Sequence, residues 1–182
     1  MRVIRIADCV PAPWKNGAGS TRELWRLDDA DGMLIRVSVA EITGDQPFSS
    51  FAGTDRVILQ LDGPAMVLRV DGQDHEIASP FAFPGEARVT CRLSGLGKAH
   101  DLNLMVRRGA FQAGMEVISA AAGEPIRMGT AAGMSALLSL APSRLTGTVD
   151  VDLERHDLLL TTEPCSIVPG QDGRFVLLTA TP

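Results

Sequence analysis

Apolar and polar residues alternate along many short segments of the chain, and the segment 100–107 shows the pattern most clearly. Leu102, Leu104 and Val106 share one phase, and side chains of a strand point to opposite faces at a period of two residues. We therefore predict a strand whose polar face lines a cavity; a polar face that simply meets solvent is the alternative. The polar phase holds Asp101, Asn103, Met105 and Arg107.

Similar alternation predicts strands at intervals of roughly ten residues along the chain. Gly, Pro and Asp stand between these strands, and Asp71-Gly72 suits a two-residue hairpin turn. No segment shows the clear pattern of an amphipathic helix, so the chain is expected to be all-β, a sandwich or barrel of the jelly-roll type. The predicted strands are 21–27, 33–42, 56–61, 66–70, 73–77, 87–93, 100–107, 111–118, 134–140, 155–162 and 174–180.

The length of 182 residues allows one domain or two small fused domains. Distinctive polar clusters are confined to residues 1–118, whereas residues 119–182 contain mainly apolar, strand-like runs. We expect a ligand pocket in the first region. The strands of the second region are expected to pack on the first region or on another copy of the chain in a homodimer.

Charge and composition exclude several classes of partner. The formal net charge is −5 and Lys and Arg form no run, so we expect no nucleic-acid partner. No apolar run approaches the ~20 residues that span a bilayer, and no secretory signal follows Met1. Cys9, Cys91 and Cys165 match neither a disulfide framework nor a zinc motif. We therefore expect a cytoplasmic protein with reduced thiols and no membrane partner.

The histidines provide no recognisable metal-binding motif. His75, His100 and His156 lie in different segments and form neither an HxH nor an HExxH pair. We therefore predict no metal and no cofactor. A GxSxG nucleophile motif is absent, and the sequence neither indicates nor excludes a Ser-His-Asp triad.

The glycines of segment 14–23 interrupt the strand pattern near the start of the chain. They form no phosphate-binding motif, because Arg22 stands at the third glycine of GxGxxG and the Walker Lys-Ser/Thr pair is missing. We predict a loop that begins with Trp14 and Asn16 and whose glycines let the backbone approach a ligand. The alternative is a turn beside a core tryptophan.

Polar side chains accumulate at predicted strand ends near Gly or Pro, and we expect them to bind a small ligand. Arginine binds a carboxylate through two parallel hydrogen bonds that lysine cannot reproduce, and asparagine both donates and accepts. Such a set suits a carboxylate or carboxamide. Alternatively, the arginines form ordinary ion pairs with Glu23, Asp55 and Asp101. The candidate ligand-binding residues are Trp14, Asn16, Thr21, Arg22, Glu41, Ser49, Phe51, Arg56, Asp101, Asn103 and Arg107.

Arg56 and Arg107 are the central candidates of this set. Arg107 shares the strand phase of Asn103, and Arg56 opens a strand directly after a polar loop. A buried guanidinium is costly unless it is paired. We expect at least one of the two to point into the first barrel, beside Asn103 and close to the loop of Trp14 and Asn16.

Five segments also carry a family resemblance. They are residues 14–24 (WKNGAGSTREL), 37–42 (VSVAEI), 47–56 (PFSSFAGTDR), 80–86 (PFAFPGE) and 101–109 (DLNLMVRRG). As an ordered set, they resemble the HutD/Ves family. Ala18 departs from the family, in which a third glycine is expected in this loop, and it restricts the backbone slightly.

The resemblance implies a cupin-type jelly-roll barrel over residues 1–118 and a second, degenerate cupin-like half completed by residues 119–182. It also implies a cytoplasmic bacterial protein, associated in some members with histidine utilisation and in others with stress. The role suggested for the family is regulatory, through binding of a small acidic intermediate such as formylglutamate or a urocanate-like compound.

We prefer a non-enzymatic regulatory protein that binds a small carboxylate. The alternative is a metal-independent isomerase or lyase on a small acidic metabolite, with Glu41 or Asp101 as general base; such a base needs a pKa raised by burial. A scaffolding protein with a vestigial pocket is a third hypothesis. It is favoured if Arg56 and Arg107 are both held in internal ion pairs.

Overall fold

The computed structural model describes residues 1–15, 17–129 and 132–182, and these residues form an all-β protein, as predicted. Their contacts divide into two compact units: Val10–Ala110, here the central unit, and Met1–Cys9 with Phe111–Pro182, here the terminal unit. In chain order the strands are β1 (Arg2–Ile4), β2 (Ala12–Pro13), β3 (Gly19–Asp29), β4 (Gly32–Ile42), β5 (Gln46–Pro47), β6 (Thr54–Asp62), β7 (Met66–Val70), β8 (Gln73–Glu76), β9 (Phe81–Pro84), β10 (Val89–Leu93), β11 (Ala99–Arg107), β12 (Gln112–Ala120), β13 (Ile126–Met128), β14 (Met134–Ser139), β15 (Ser143–Gly147), β16 (Val151–Leu153), β17 (Leu158–Thr161), β18 (Cys165–Pro169) and β19 (Gly173–Thr181).

Helix is nearly absent from the described residues. A three-residue 3₁₀ helix, Ile6–Asp8, lies in the terminal unit. Over the described ranges, no helix has the length and apolar character needed to span a membrane.

The central unit consists of two antiparallel sheets. One has six strands in the order β2-β3-β4-β11-β6-β9, and the other has four in the order β5-β10-β7-β8. Ile42, Ile58 and Phe83 of the six-stranded sheet meet apolar residues of the four-stranded sheet in one core, as expected for sheets that pack face to face. The core contains Ile42, Ile58, Met66, Leu68, Ile77, Phe83, Val89 and Cys91.

Strand β11 lies inside the six-stranded sheet, between β4 and β6. All side chains from Asp101 to Val106 are buried, so both faces of the strand are covered. The strand predicted at 100–107 is confirmed, and the alternative of a polar row that meets solvent is wrong. Because Asp101 and Asn103 lie on a covered face, each needs a hydrogen-bonding partner within the protein.

The hairpin predicted at Asp71-Gly72 is confirmed. Strands β7 and β8 pair antiparallel, with Val70 opposite Gln73. Asp71 has φ 47° and Gly72 has φ 91°. Positive φ at both central residues defines the type I′ turn, whose twist matches that of the strands it joins.

The terminal unit also contains two antiparallel sheets. Their orders are β1-β17-β14-β19-β12 and β13-β18-β15-β16. A buried apolar core again joins residues of both sheets, and it consists of Ala120, Ile126, Met128, Leu137, Leu145, Leu153, Leu159, Ile167 and Phe175.

The units differ in extent from the predicted regions 1–118 and 119–182. Strand β12 pairs with β19 along its whole length, from Gln112 opposite Thr181 to Ala120 opposite Gly173, and β1 pairs with β17. Residues 1–9 and 111–118 therefore belong to the terminal unit. The local pattern identifies a strand, but its distant partner is a property of the folded chain.

Candidate functional site

The central unit contains a cavity of about 580 Å³ on the inner side of its six-stranded sheet. Seven of the eleven candidate residues line it: Trp14, Thr21, Ser49, Phe51, Arg56, Asp101 and Asn103. The other lining residues are Ala12, Pro13, Lys15, Arg36, Ser38, Ala40, Pro47, Phe48 and Met105.

The register of the central strands explains why these side chains meet. Residues directly opposite each other in an antiparallel sheet point to the same face. Arg56 on β6 lies opposite Met105 on β11, which lies opposite Arg36 on β4. Asn103 lies opposite Ser38, two residues further along both strands. Asp101 lies opposite Ala40 in the next row. The sheet therefore presents three successive rows of side chains to the cavity.

A chain of hydrogen bonds joins three buried polar side chains. The Nη2 of Arg56 donates to Oδ1 of Asn103 at 2.7 Å, and Nδ2 of Asn103 donates to Oδ1 of Asp101. The Nη1 of Arg56 makes a longer bond, 3.4 Å, to the carbonyl oxygen of Ser49. Asn103 thus bridges a cation and an acid that do not touch directly.

The Arg56 guanidinium lies among three phenylalanine rings and is only 5% exposed. Its carbon is 5.5 Å from the ring centroids of Phe48 and Phe51 and 5.0 Å from that of Phe83. Such rings attract a cation through their negative faces. Burial lowers the Arg56 pKa to about 10, and the charge of Asp101 partly opposes this lowering. Arg56 therefore stays protonated at neutral pH, and its buried Nε has no partner among the described residues.

Asp101 is an acid with no exposure to solvent. Burial raises its pKa to about 7, while the charge of Arg56 and the hydrogen bond from Asn103 act in the opposite direction. Its Oδ2 atom has no hydrogen-bond partner in the described part of the chain. Both protonation states of Asp101 are therefore accessible near neutral pH.

Trp14 closes one side of the cavity. Its indole Nε1 donates to Oγ1 of Thr21 at 2.7 Å, and its ring meets that of Phe48 edge-on at 6.2 Å. A Cβ atom at Gly19 would lie 2.9 Å from Cε3 of Trp14 and 2.4 Å from the backbone oxygen of Glu41. Glycine is therefore required there by close packing. Asn16, also expected at this loop, lies outside the described residues.

Arg107 is not among the cavity-lining residues, contrary to its predicted place there. Its Nη1 and Nη2 donate to the two carboxylate oxygens of Asp29 at 2.8 and 2.7 Å. Arg107 has the predicted phase, but it is the last residue of β11 and reaches Asp29, the last residue of β3. Strand phase alone does not specify how far along the strand the cavity extends. The prediction that at least one of the two arginines lies beside Asn103 holds for Arg56.

Glu41 and Arg22 are also absent from the cavity lining. Each follows a lining residue, Ala40 or Thr21, and so takes the opposite strand phase. Glu41 accepts a hydrogen bond from Nζ of Lys98 at 2.9 Å. This bond, together with the charges of Lys98 and His100, lowers the Glu41 pKa. Glu41 is thus an ion-pairing residue next to the cavity-lining row.

Several lining residues were missed in the sequence. Arg36, Ser38 and Ala40 alternate with the apolar residues of β4, so their shared phase was visible. What the pattern lacked was the register that aligns them with Asn103 and Arg56. Phe48 stands in the same polar loop as Ser49. The sequence alone does not identify Phe48 as a lining residue, because its contact with the Arg56 guanidinium exists only in the folded protein.

No group of three or more His, Cys, Asp or Glu side chains among the described residues has the spacing needed to hold a metal ion. His100 instead places its Nδ1 2.6 Å from Oδ1 of Asp62. His75 stacks at 4.5 Å on the ring of Phe81.

Comparison with known proteins identifies a family and two similar proteins, one from a hutC 3′ region and one named Ves. The family model described as HutD matches residues 6–177. An uncharacterised 21.2 kDa protein in the hutC 3′ region of Pseudomonas putida is 39% identical over 121 residues, which cover 64% of this chain and 63% of that protein. Protein Ves of Citrobacter koseri is 38% identical over 57% of this chain and 56% of its own. The matched segment is thus less than two thirds of either relative.

Solved structures match over a larger part of the chain. HutD from Pseudomonas fluorescens SBW25, described for a formate condition, has a TM-score of 0.84 at 32% identity, covering 99% of this chain and 97% of its own. A protein of unknown function from Pseudomonas aeruginosa PAO1 gives 0.86 at 28% identity over 100% and 98%.

A cupin 2 conserved barrel domain protein from Leptotrichia buccalis is similar in fold alone. Its TM-score is 0.63 at 8% identity, over 99% of this chain and 95% of that one. The all-β architecture is therefore cupin-like. With a family match that extends over nearly its whole length, the chain belongs to the HutD family.

Proposed function

We propose that the cavity of the central unit binds a small carboxylate at Arg56 and that the protein is a non-enzymatic regulator. The observation that carries this proposal is a buried cation that lines a cavity without a direct counter-ion. Arg56 is 5% exposed, and it forms no ion pair within 4.0 Å with any carboxylate of the described residues. An arginine buried in this way is costly unless an anion compensates its charge.

Arg107 provides the contrast within the same sheet. Its guanidinium is matched by both oxygens of Asp29. The scaffolding hypothesis required internal ion pairs for both arginines, and only Arg107 has one. Arg56 therefore favours binding over a purely structural role.

The remaining cavity walls suit a small, partly polar ligand. Trp14, Phe48 and Phe51 supply apolar surface, whereas Ser38 and Thr21 supply hydroxyl groups. Small-molecule sites commonly combine an apolar lining with a few polar groups that orient the ligand. The volume of about 580 Å³ is within the usual range for such sites.

The relatives support a link to histidine utilisation. One is named HutD, and another is described by its position in a hutC 3′ region. We therefore propose a histidine-pathway intermediate, such as formylglutamate or urocanate, as the physiological ligand and the cytoplasm as the place of action. Formate serves as the smallest carboxylate probe, since it presents the anionic group alone.

Thermal-shift measurements test the proposal directly. With formate, urocanate and formylglutamate as probes, at least one is expected to raise the melting temperature in proportion to the logarithm of its concentration above Kd. Formamide, the neutral amide that matches formate in size, is expected to give a much smaller shift. The proposal is wrong if none of the three acids stabilises the protein.

A metal-independent isomerase or lyase is the second candidate, and the Asp101 pKa of about 7 favours it. A general base works best when its pKa is close to the working pH. Of the two bases considered, Glu41 is outside the cavity lining and has a lowered pKa. Turnover of a bound acid that disappears in Asp101→Asn while binding persists would support the enzyme; a tight ligand that is never turned over would argue against it.

We further propose that the central unit is a jelly-roll barrel and that the terminal unit is a second, degenerate cupin-like half. The presence of two antiparallel sheets around one apolar core in each unit supports this interpretation. A structure of the protein with a bound carboxylate would test both the closure of the barrel and the occupancy of its cavity.

A further inference from the structure

The Asn103 amide has a fixed orientation because its two neighbours have opposite requirements. Its oxygen accepts from the Arg56 guanidinium, and its nitrogen donates to the Asp101 carboxyl. A flipped amide would direct its NH₂ group at a guanidinium, which has only donors, and its oxygen at a carboxylate, which has only acceptors when ionised. Asp101 therefore helps to hold Arg56 in place without contacting it.

Asp101 is also the only acid among the described residues that line the cavity. The cations of that lining are Arg56 from β6, Arg36 from β4 and Lys15 from the turn before β3. Cys91 lies on β10 of the facing sheet. Burial, followed by the charge of Asp101, raises the pKa of its thiol to about 12, so the thiol is neutral. In the absence of a ligand, ionised Asp101 is thus the nearest counter-charge available to Arg56 inside the cavity.

We propose that Asp101 is a positioning residue for Arg56, acting through the Asn103 amide, and that one proton enters its carboxyl group when a small anion binds at Arg56. This inference rests on the proposed function, since the bound anion becomes the new counter-charge of Arg56. Two negative charges in a poorly solvated site repel each other, and protonation of the buried acid removes the repulsion. The Oδ2 of Asp101, without a partner in the described chain, is available for the proton while Oδ1 keeps its bond from Asn103.

The coupling predicts a specific dependence of affinity on pH. The Asp101 pKa is about 7 in the ligand-free protein. Below this pH the acid is already protonated, so binding takes up little proton and the Kd is constant. Above this pH, the Asp101 carboxylate must take up a proton when the anion binds. The Kd therefore rises by up to about tenfold per pH unit, the limit for one coupled proton.

Titration calorimetry of the full chain with formate tests this coupling. The measurement is made at pH 5.5 and at pH 8, each in two buffers that differ in ionisation enthalpy. At pH 8 the binding heat is expected to depend on the buffer and to correspond to uptake of close to one proton; at pH 5.5 the dependence is expected to vanish. Binding at pH 8 without proton uptake would overturn the inference alone. The absence of formate binding at either pH, together with no stabilisation by urocanate or formylglutamate, would overturn the proposed function as well.

The variant Asp101→Asn identifies the proton-binding group, because asparagine resembles the protonated acid in shape and charge. We expect its Kd for formate to be independent of pH and lower than that of the parent at pH 8. Asp74→Asn is the matched control: Asp74 is an exposed acid paired with Arg92, and its variant should keep the parent profile. Proton uptake that persists in folded Asp101→Asn would refute the assignment. If this variant does not fold, the buffer dependence of the parent still decides the coupling.

Discussion

Arg56 and Arg107 are the same residue type on neighbouring strands of one sheet, yet their surroundings are opposite. Arg107 meets Asp29 in a partly exposed, two-pronged ion pair. Arg56 is buried among aromatic rings, and an amide rather than a carboxylate accepts its shortest hydrogen bond. Because the charge of Arg107 is already matched, replacement of the two arginines should have different effects on anion binding.

The variant Arg56→Lys keeps a positive charge but removes the planar fork that can hold a carboxylate. We expect it to weaken formate binding by roughly 1–3 kcal/mol, the range for a hydrogen bond to a charged group. Titration calorimetry measures the difference. Arg107→Lys is the control and should bind formate as the parent does. Equal affinities for the parent and Arg56→Lys would remove Arg56 from the site.

At the scale of the strand, the sequence was sufficient to predict β11, its phase and the polar character of one face. It was also sufficient to predict β4 and β6 as strands. The register between them could not be predicted, because it depends on pairing across residues that are far apart in the chain. Without the register, the pattern places Arg107 in the cavity and does not identify Arg36, although both arginines belong to predicted strands.

Gly19 illustrates how the start of β3 is packed against its surroundings. The sequence predicted a loop in which glycine lets the backbone approach a ligand, but the close approach at Gly19 is to the Glu41 backbone and the Trp14 ring. The ligand interpretation could not be separated from this packing requirement by pattern, since both favour a residue without Cβ.

The variant Gly19→Ala should therefore destabilise the protein. Its Cβ would lie 2.4 Å from the Glu41 backbone oxygen, a contact that backbone movement alone can relieve. We expect a loss of about 1–3 kcal/mol in the free energy of unfolding, as is usual for overpacking, measured by urea denaturation. Gly44→Ala is the matched control, because a Cβ there meets no atom within 4 Å; it should change stability by less than about 0.5 kcal/mol. Similar stabilities for the two variants would contradict this account of Gly19.

At the scale of the whole molecule, the terminal unit combines both ends of the chain. Strand β1 pairs with β17, from Arg2 opposite Leu160 to Ile4 opposite Leu158. Buried Asp157 reinforces this pairing: its carboxylate accepts from Arg5 at 2.7 Å and from the backbone N–H of Ile6 at 2.9 Å and of Glu154 at 3.0 Å. The all-β class was predictable from the strand pattern, but the union of the two ends was not, since short apolar segments do not identify their partners.

The variant Asp157→Ala should destabilise the terminal unit. It removes the acceptor of two backbone N–H groups and the ion-pair partner of Arg5, which keeps only its bond to the Asp152 carbonyl oxygen. A hydrogen bond to a charged group contributes about 1.5–3 kcal/mol. We expect the free energy of unfolding to fall by roughly 2–4 kcal/mol on this basis, measured by urea denaturation. Asp152→Ala is the control, because the Asp152 carboxylate pairs with exposed Arg144 and is itself 71% exposed. The interpretation fails if both variants unfold at the same urea concentration.

The interrupted course of the terminal unit has a consequence for biosynthesis. The central unit is one continuous stretch of chain, Val10–Ala110. In the terminal unit, β1 can pair only after the ribosome has added β17, more than a hundred residues later. Domains generally fold as units while the chain is being made. The half that carries the cavity can therefore complete its sheets during translation, while Met1–Cys9 remains without its strand partner until Leu158–Thr161 has emerged. In a nascent chain, the unit that contains the cavity can therefore be complete before the unit that joins the two ends of the chain.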